Sequence, residues 1–187
     1  NNPMNILIQN VDLLDVYTEN IKKINNVYKG QYIDLIMCNF AFHYFVKNMM
    51  SLQNICQLIN HYLNNGGNFV FSSFDGQKII DLLKDKDEWI VKKNDDIKYG
   101  IKKIYKDDLL LPIGQKIKVL LPFSNNTFYE EYLINIETIE KELNKYNIIL
   151  NKNESFLAHI DDYDKEMNED DKKYVNLYHY YIFTKHK

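Results

Sequence analysis

Apolar positions along this chain follow two rhythms. The runs ILI at 6–8, IDLIMC at 33–38 and NFVF at 68–71 are short and bounded by polar residues, as buried strands are. Residues 48–64 instead place apolar side chains every three or four positions and stop at Asn64-Asn65-Gly66-Gly67, which predicts an amphipathic helix with its stop signal. The same reading predicts strands at 5–11, ending at Asp12, at 33–39 and at 68–73, with helices at 18–27 and 76–86. Long helices between apolar strands imply an α/β fold. Its parallel sheet would be covered on both faces and bind ligands at the carboxyl ends of its strands.

Past residue 86 the rhythm shortens to β-rich pieces at 88–93, 99–105, 115–121 and 128–134, broken by Pro112, Gly114 and Pro122. This predicts an insertion, about 88–134, carrying its own small sheet. A helix at 136–146, a strand at 147–152, an acidic stretch from Asp161 to Lys173 and a strand at 177–184 complete the chain. Interspersed lysines and the lack of a fixed carboxylate spacing favour a solvated loop or exposed helix over a metal site in the acidic stretch. No metal centre is expected. The 187 residues fit one domain, 1–187.

Composition narrows the class. Hydrophobic residues at 45% and charged ones at 26% are ordinary globular values, and no run approaches the ~20 apolar residues of a membrane span. A net charge of -3 supplies no global field for nucleic acid. Contact with RNA would come from local pairs such as Lys22-Lys23, Lys92-Lys93 and Lys102-Lys103, each of which also reads as a solvated face. Cys38 and Cys56, with no signal peptide ahead of them, predict reduced core thiols in an intracellular protein. The chain opens NNPMN and its first apolar run reads as a strand already inside a fold, so a fragment is expected.

The stretch IDLIMCNFAFHYF at 33–45 carries the first candidate chemistry, because Asn39, His43 and Tyr44 are set into an apolar-aromatic cluster where a turn is expected. The residues alone leave His43 open between a core histidine and a ligand-facing one. Asp12 stays open between a turn cap and a ligand contact. Four motifs, DLIMCNFAFHYF at 34–45, GGNFVFSSFDGQKI at 66–79, FYEEYLINIETIEKELNKYNI at 128–148 and LYHYYIFTKHK at 177–187, together resemble the mRNA cap guanine-N7 methyltransferases. The resemblance is closer to the viral branch, poxvirus-like and giant-virus capping enzymes, in which this domain is part of a larger enzyme.

The resemblance implies a Rossmann-like class I sheet, S-adenosylmethionine as cofactor and capped mRNA as substrate. It puts Asp12 with Leu13, and Asn39 with Phe40, against the cofactor, Asn39 standing where the family has glutamine. His43, Tyr44, Phe74, Glu131 and Tyr178 would line the cap guanine pocket, with Glu130 the alternative to Glu131. Guanine N7 already holds an in-plane lone pair, so no acid or base is expected and positioning would carry the catalysis, an effect that reaches ~7–11 kcal/mol.

The family's Gly-rich cofactor loop and the acidic residue on the ribose have no counterpart here, so the missing strands are expected to precede Asn1. A stimulatory subunit, or upstream triphosphatase and guanylyltransferase domains, are the expected partners. Viral members imply cytoplasm or virion, cellular ones the nucleus. Two other readings stand beside the enzyme: a small-molecule methyltransferase, and a non-catalytic module that binds capped RNA or a capping partner.

Overall fold

The computed structural model describes residues 10–14, 16–29, 32–122, 124–160 and 167–187, which build two four-stranded sheets. Helix α1 (Tyr17–Tyr28) leads to strand β1 (Ile33–Asn39), a 3-10 helix (Phe42–Lys47), α2 (Met49–Tyr62) and β2 (Leu63–Phe74). From there α3 (Gly76–Leu83) passes the chain to β3 (Glu88–Lys93), β4 (Asp96–Lys103), β5 (Lys116–Leu120) and β6 (Tyr129–Tyr132). It returns through α4 (Ile136–Asn144), β7 (Ile148–Ser155), a 3-10 turn (Phe156–His159), α5 (Glu169–Asn176) and β8 (Tyr178–Lys185).

Most predicted elements recur within a few residues of their expected bounds. The expected strand at 5–11 lies, up to residue 9, outside the described residues, and Asn10 to Asp12 are not in a strand. β2 begins at Leu63 rather than at 68, because Leu63 pairs with Ile33 and the chain absorbs an irregularity before Asn68 meets Leu35. Gly66, at φ 81, takes the left-handed step that this irregular start requires.

The larger sheet has the order β1-β2-β8-β7 and is mixed rather than parallel. β1 and β2 run parallel, but β8 lies antiparallel between β2 and β7. The 3-10 turn and α5 connect β7 to β8 on the same end of the sheet, so the last strand must run back. Expected cover on both faces is also corrected along β1: Ile36 and Cys38 face the core, while Leu35 and Met37 are 52% and 58% exposed.

Apolar spacing explains the covered face. α2 sends Leu52, Ile55, Cys56, Ile59 and Tyr62 to one side, where they meet Phe69, Phe71, Tyr181 and Phe183 of β2 and β8. Phe71 is sandwiched between Phe42 at 4.4 Å and Tyr181 at 4.6 Å, and such packing adds to the roughly 1.5–3 kcal/mol that burial of each large apolar side chain supplies. The starts of α2, α3, α4 and α5 are capped: Asn48, Asp75, Asn135 and Asn168 accept a hydrogen bond from the backbone N–H three residues on.

β3, β4, β5 and β6 form the second sheet in sequence order, all antiparallel. Its core joins Trp89, Tyr99, Ile101, Ile117 and Val119 to Ile79 and Leu83 of α3. The two sheets are tied where α3 begins: Gly76 N–H donates to the Ile134 carbonyl at 3.1 Å, and Asp75 bridges to Ile134. A Cβ on Gly76 would stand 2.2 Å from that carbonyl oxygen, so no other residue fits without parting the strands.

Candidate active site

β1 ends in an unusual step. Phe40 adopts φ 54, a left-handed conformation that is uncommon for a bulky residue, and its N–H donates to the Ser72 carbonyl at 2.9 Å. The chain therefore leaves the sheet at once and winds into the 3-10 helix, which buries Phe42, His43, Phe45 and Val46. Asn39, at the strand's carboxyl end, is exposed, and its Oδ1 accepts from the Ser72 hydroxyl at 3.4 Å.

At this end of the sheet lies a cavity of about 370 Å³, lined by Phe40, His43, Phe74, Glu131, Tyr174 and Tyr178 among others. Phe74 and Tyr178 are register partners on β2 and β8, and their rings stack at 4.0 Å. The Phe40 ring meets Tyr178 edge-on at 5.4 Å and Phe156 at 5.9 Å. Aromatic walls of this kind suit a flat base, which gains contact on its faces while polar groups meet its edge.

The polar edge is supplied by His43 and Glu131. His43 is 5% exposed, and its Nε2 has no hydrogen-bond partner. Burial holds its imidazole down at about 4, hence neutral at pH 7. Nδ1 stands 3.7 Å from Glu131 Oε2, too long for a hydrogen bond. Glu131 arrives from β6 of the other sheet, and burial pushes its carboxyl up to about 7. A buried carboxylate and a buried, unpartnered ring nitrogen are costly arrangements unless a ligand satisfies them. Strand alternation sends neighbouring Glu130 outward, where it pairs with Lys116 at 2.7 Å.

Of the residues expected at the cap pocket, the structure brings together His43, Phe74, Glu131 and Tyr178. Tyr44 is not among the lining residues; it lies against His43, ring centroids 4.1 Å apart, and is 48% exposed. Phe40, expected with the cofactor, lines this same cavity because its left-handed turn swings the ring over Tyr178. Leu13 lines a separate apolar cavity with Met37, Cys38 and Phe42. Asp12 is exposed and accepts the Leu14 N–H at 2.9 Å, the turn-capping arrangement that the residues alone left open.

Sequence reasoning missed Tyr174 and Phe156. Tyr174 directly follows an acidic stretch read as solvated, and it sits near the end of α5, four residues before Tyr178, the first residue of β8. Its hydroxyl lies 3.1 Å from that of Tyr178. Residues 161–166 of the acidic stretch lie outside the described residues, while Glu169, Asp170 and Asp171 form the first turn of α5, where negative charge complements the helix dipole.

Comparison with known proteins places this geometry. No family model matches the chain. An mRNA-capping enzyme of African swine fever virus (Pretoriuskop isolate) is 29% identical over 195 residues, covering 97% of this chain and 22% of that enzyme. A protein of Acanthamoeba polyphaga mimivirus named probable mRNA-capping enzyme is 33% identical over 127 residues, 64% of this chain and 11% of its own length. The chain thus spans about a fifth of the swine fever virus enzyme, or less of the mimivirus protein. Among solved structures, an S-adenosylmethionine-dependent methyltransferase from Clostridium acetobutylicum superimposes with a TM-score of 0.51 at 16% identity, covering 88% of this chain and 63% of that one. The CcbJ methyltransferase from Streptomyces caelestis gives 0.51 at 13%, covering 84% and 59%. The chain thus has the Rossmann-like fold of the class I S-adenosylmethionine-dependent methyltransferases, and in sequence it resembles the viral mRNA-capping enzymes.

Proposed function

We propose that this chain forms the guanine-N7 methyl-transfer site of an mRNA-capping enzyme, converting GpppN ends to m7GpppN. The observation that carries the reading is the convergence of His43, on the 3-10 helix that follows β1, and Glu131, on β6 of the second sheet, into one aromatic-walled cavity at the carboxyl end of β2. Guanine offers N1–H and the 2-amino group to a carboxylate, and O6 as an acceptor. Ionised Glu131 accepts from the first two, and His43 in its Nε2–H tautomer donates to the third. Adenine reverses the donor pattern on this edge and would leave the buried carboxylate unpaired.

The cofactor side fits in part. Asn39 and Phe40 stand at the carboxyl end of the parallel pair β1 and β2, where ligands of such sheets bind, and they would hold S-adenosylmethionine against the cavity. Bound there, the cofactor supplies an electrophilic methyl group. The chain's own residues do the rest by placement: Phe74 and Tyr178 fix the plane of the base, Glu131 and His43 fix its rotation, and Phe40 walls the side toward Asn39. No residue needs to take a proton from N7, whose lone pair is free. Orientation of this kind turns a two-body displacement into a nearly one-body step.

Transfer of labelled methyl from S-adenosylmethionine to GpppA-capped RNA tests the reading, with this chain alone and with this chain fused to the remainder of a viral capping enzyme. N7-methyl product from either is expected; its absence from both overturns methyl transfer. A second reading, a non-catalytic module that binds capped RNA or a capping partner, is favoured by Asp12 and Leu13 lying off the cavity. Cap binding without transfer would select it. Triphosphatase and guanylyltransferase domains or a stimulatory subunit are the partners proposed for the enzyme. Cytoplasm or virion is the proposed location, since the relatives are viral. No helix among the described residues is long and apolar enough to cross a membrane.

A further inference from the structure

Guanine carries more polar groups than Glu131 and His43 read. With N1–H and one 2-amino hydrogen on the carboxylate and O6 on the histidine, the second 2-amino hydrogen and the N3 acceptor are left. We propose that Tyr174 is a specificity-determining residue that reads this remainder through its hydroxyl pair with Tyr178. The proposal rests on the guanine reading above.

Two features of the structure carry it. The hydroxyls of Tyr174 and Tyr178 lie 3.1 Å apart on the cavity wall. One O–H is used between them, which leaves one O–H donor and free lone pairs, the complement of an N3 acceptor beside an N–H donor. Both phenols are held above their ordinary range, Tyr174 at about 12, first by burial, with the Glu131 charge contributing; the pair therefore stays protonated close to the carboxyl that anchors the base.

Tyr174 is also held rigidly. Its ring stacks on Tyr99 at 4.1 Å and 18°. The Tyr99 hydroxyl donates to Asp171 at 2.8 Å, and Lys98 pairs with the same carboxylate. Phe74 meets the ring edge-on at 6.0 Å. Beyond it lies a second cavity of about 280 Å³ that shares Pro122, Tyr174 and Val175 with the first, so the tyrosine is a partition as well as a contact. A hydroxyl fixed by a stack, an edge contact and a helix loses little freedom when a base arrives, which is what discrimination between near-identical bases needs.

Inosine removes both 2-amino hydrogens, the one on Glu131 and the one left for the tyrosines, while keeping N1–H, O6 and N3, so the change in preference on altering Tyr174 isolates the tyrosine contact. Equilibrium binding of GpppA and IpppA is measured on the full chain and on Tyr174→Phe, which keeps the stacked ring. The unmodified chain is expected to prefer GpppA, and Tyr174→Phe to lower that preference about fivefold, the worth of one neutral hydrogen bond. Because the ratio is taken on one preparation, loss of folded protein would move both affinities together and leave it unchanged. An unchanged ratio with GpppA still bound by the unmodified chain overturns the role of Tyr174 alone. No binding of either dinucleotide by the unmodified chain overturns the guanine reading, and this proposal with it.

Discussion

Glu131 holds its proton to about pH 7, well past the ordinary carboxyl range, because burial strips water from the charged form. Accepting two hydrogen bonds from guanine requires the carboxylate. GpppA affinity is therefore expected to rise by about tenfold per pH unit up to pH 7 and to level above it. Titrations of binding between pH 5.5 and 8.5 check this, and Glu131→Gln should bind poorly with no pH dependence. Stability moves the other way. The unfolded chain releases this proton near the usual carboxyl value and the folded chain only near 7, so between those points the folded state binds more protons and loses stability as pH rises. The loss is on the order of 3 kcal/mol, so Glu131→Gln should melt higher than the unmodified chain at pH 8 while losing cap binding. His43 has the opposite sign: its folded value of about 4 lies below the ordinary imidazole range, so its contribution is present above that range and lost as pH falls toward 4. Melting curves of Glu131→Gln from pH 4 to 7 should expose that slope.

Turns between elements decide where these groups meet. Phe40→Asn keeps a residue that tolerates the left-handed step while deleting the ring that covers Tyr178. Its melting temperature should change little and its methyl-transfer rate should fall at least tenfold, on the order of 1.4 kcal/mol in positioning. Gly76→Ala drives a methyl group into the Ile134 carbonyl, three residues past Glu131, and should cost several kcal/mol while loosening cap binding in parallel. How much was legible follows the same division. β1 and β3 were readable to the residue because a strand's apolar rhythm is local. The antiparallel insertion of β8 was not, since strand direction depends on which end the preceding connection occupies. His43, Phe74, Glu131 and Tyr178, expected together because their motifs resemble a known family's, line one cavity in the structure. The place of Tyr174 on the cavity wall was hidden because it is set by Tyr99 and Phe74, distant in sequence, while its preceding neighbours are charged.

At the scale of the molecule, the larger sheet ends, among the described residues, on β1 at one margin and on β7 at the other. Leu35 and Met37 present apolar surface on β1, an arrangement that invites pairing with another chain. Replacing both by lysine should reduce self-association in sedimentation or light scattering and leave cap affinity within about twofold, as neither lines the cavity. Three lysines of the expected pairs, by contrast, are already engaged: Lys22 with Glu19, Lys102 with Glu88 and Lys103 with Asp108. RNA binding should accordingly be set by the cap and show a shallow salt dependence, checked by comparing capped and uncapped RNA from 50 to 200 mM salt. The carboxylate proposed to read the base, Glu131, is borne on a strand of only four residues, Tyr129–Tyr132, yet that strand holds two acidic residues in succession. A slip of β6 by one position against β5 would turn Glu131 out to solvent and Glu130 in. On the proposed reading the doublet is a spare: a β6 paired one position out of register would still turn an acid toward the base.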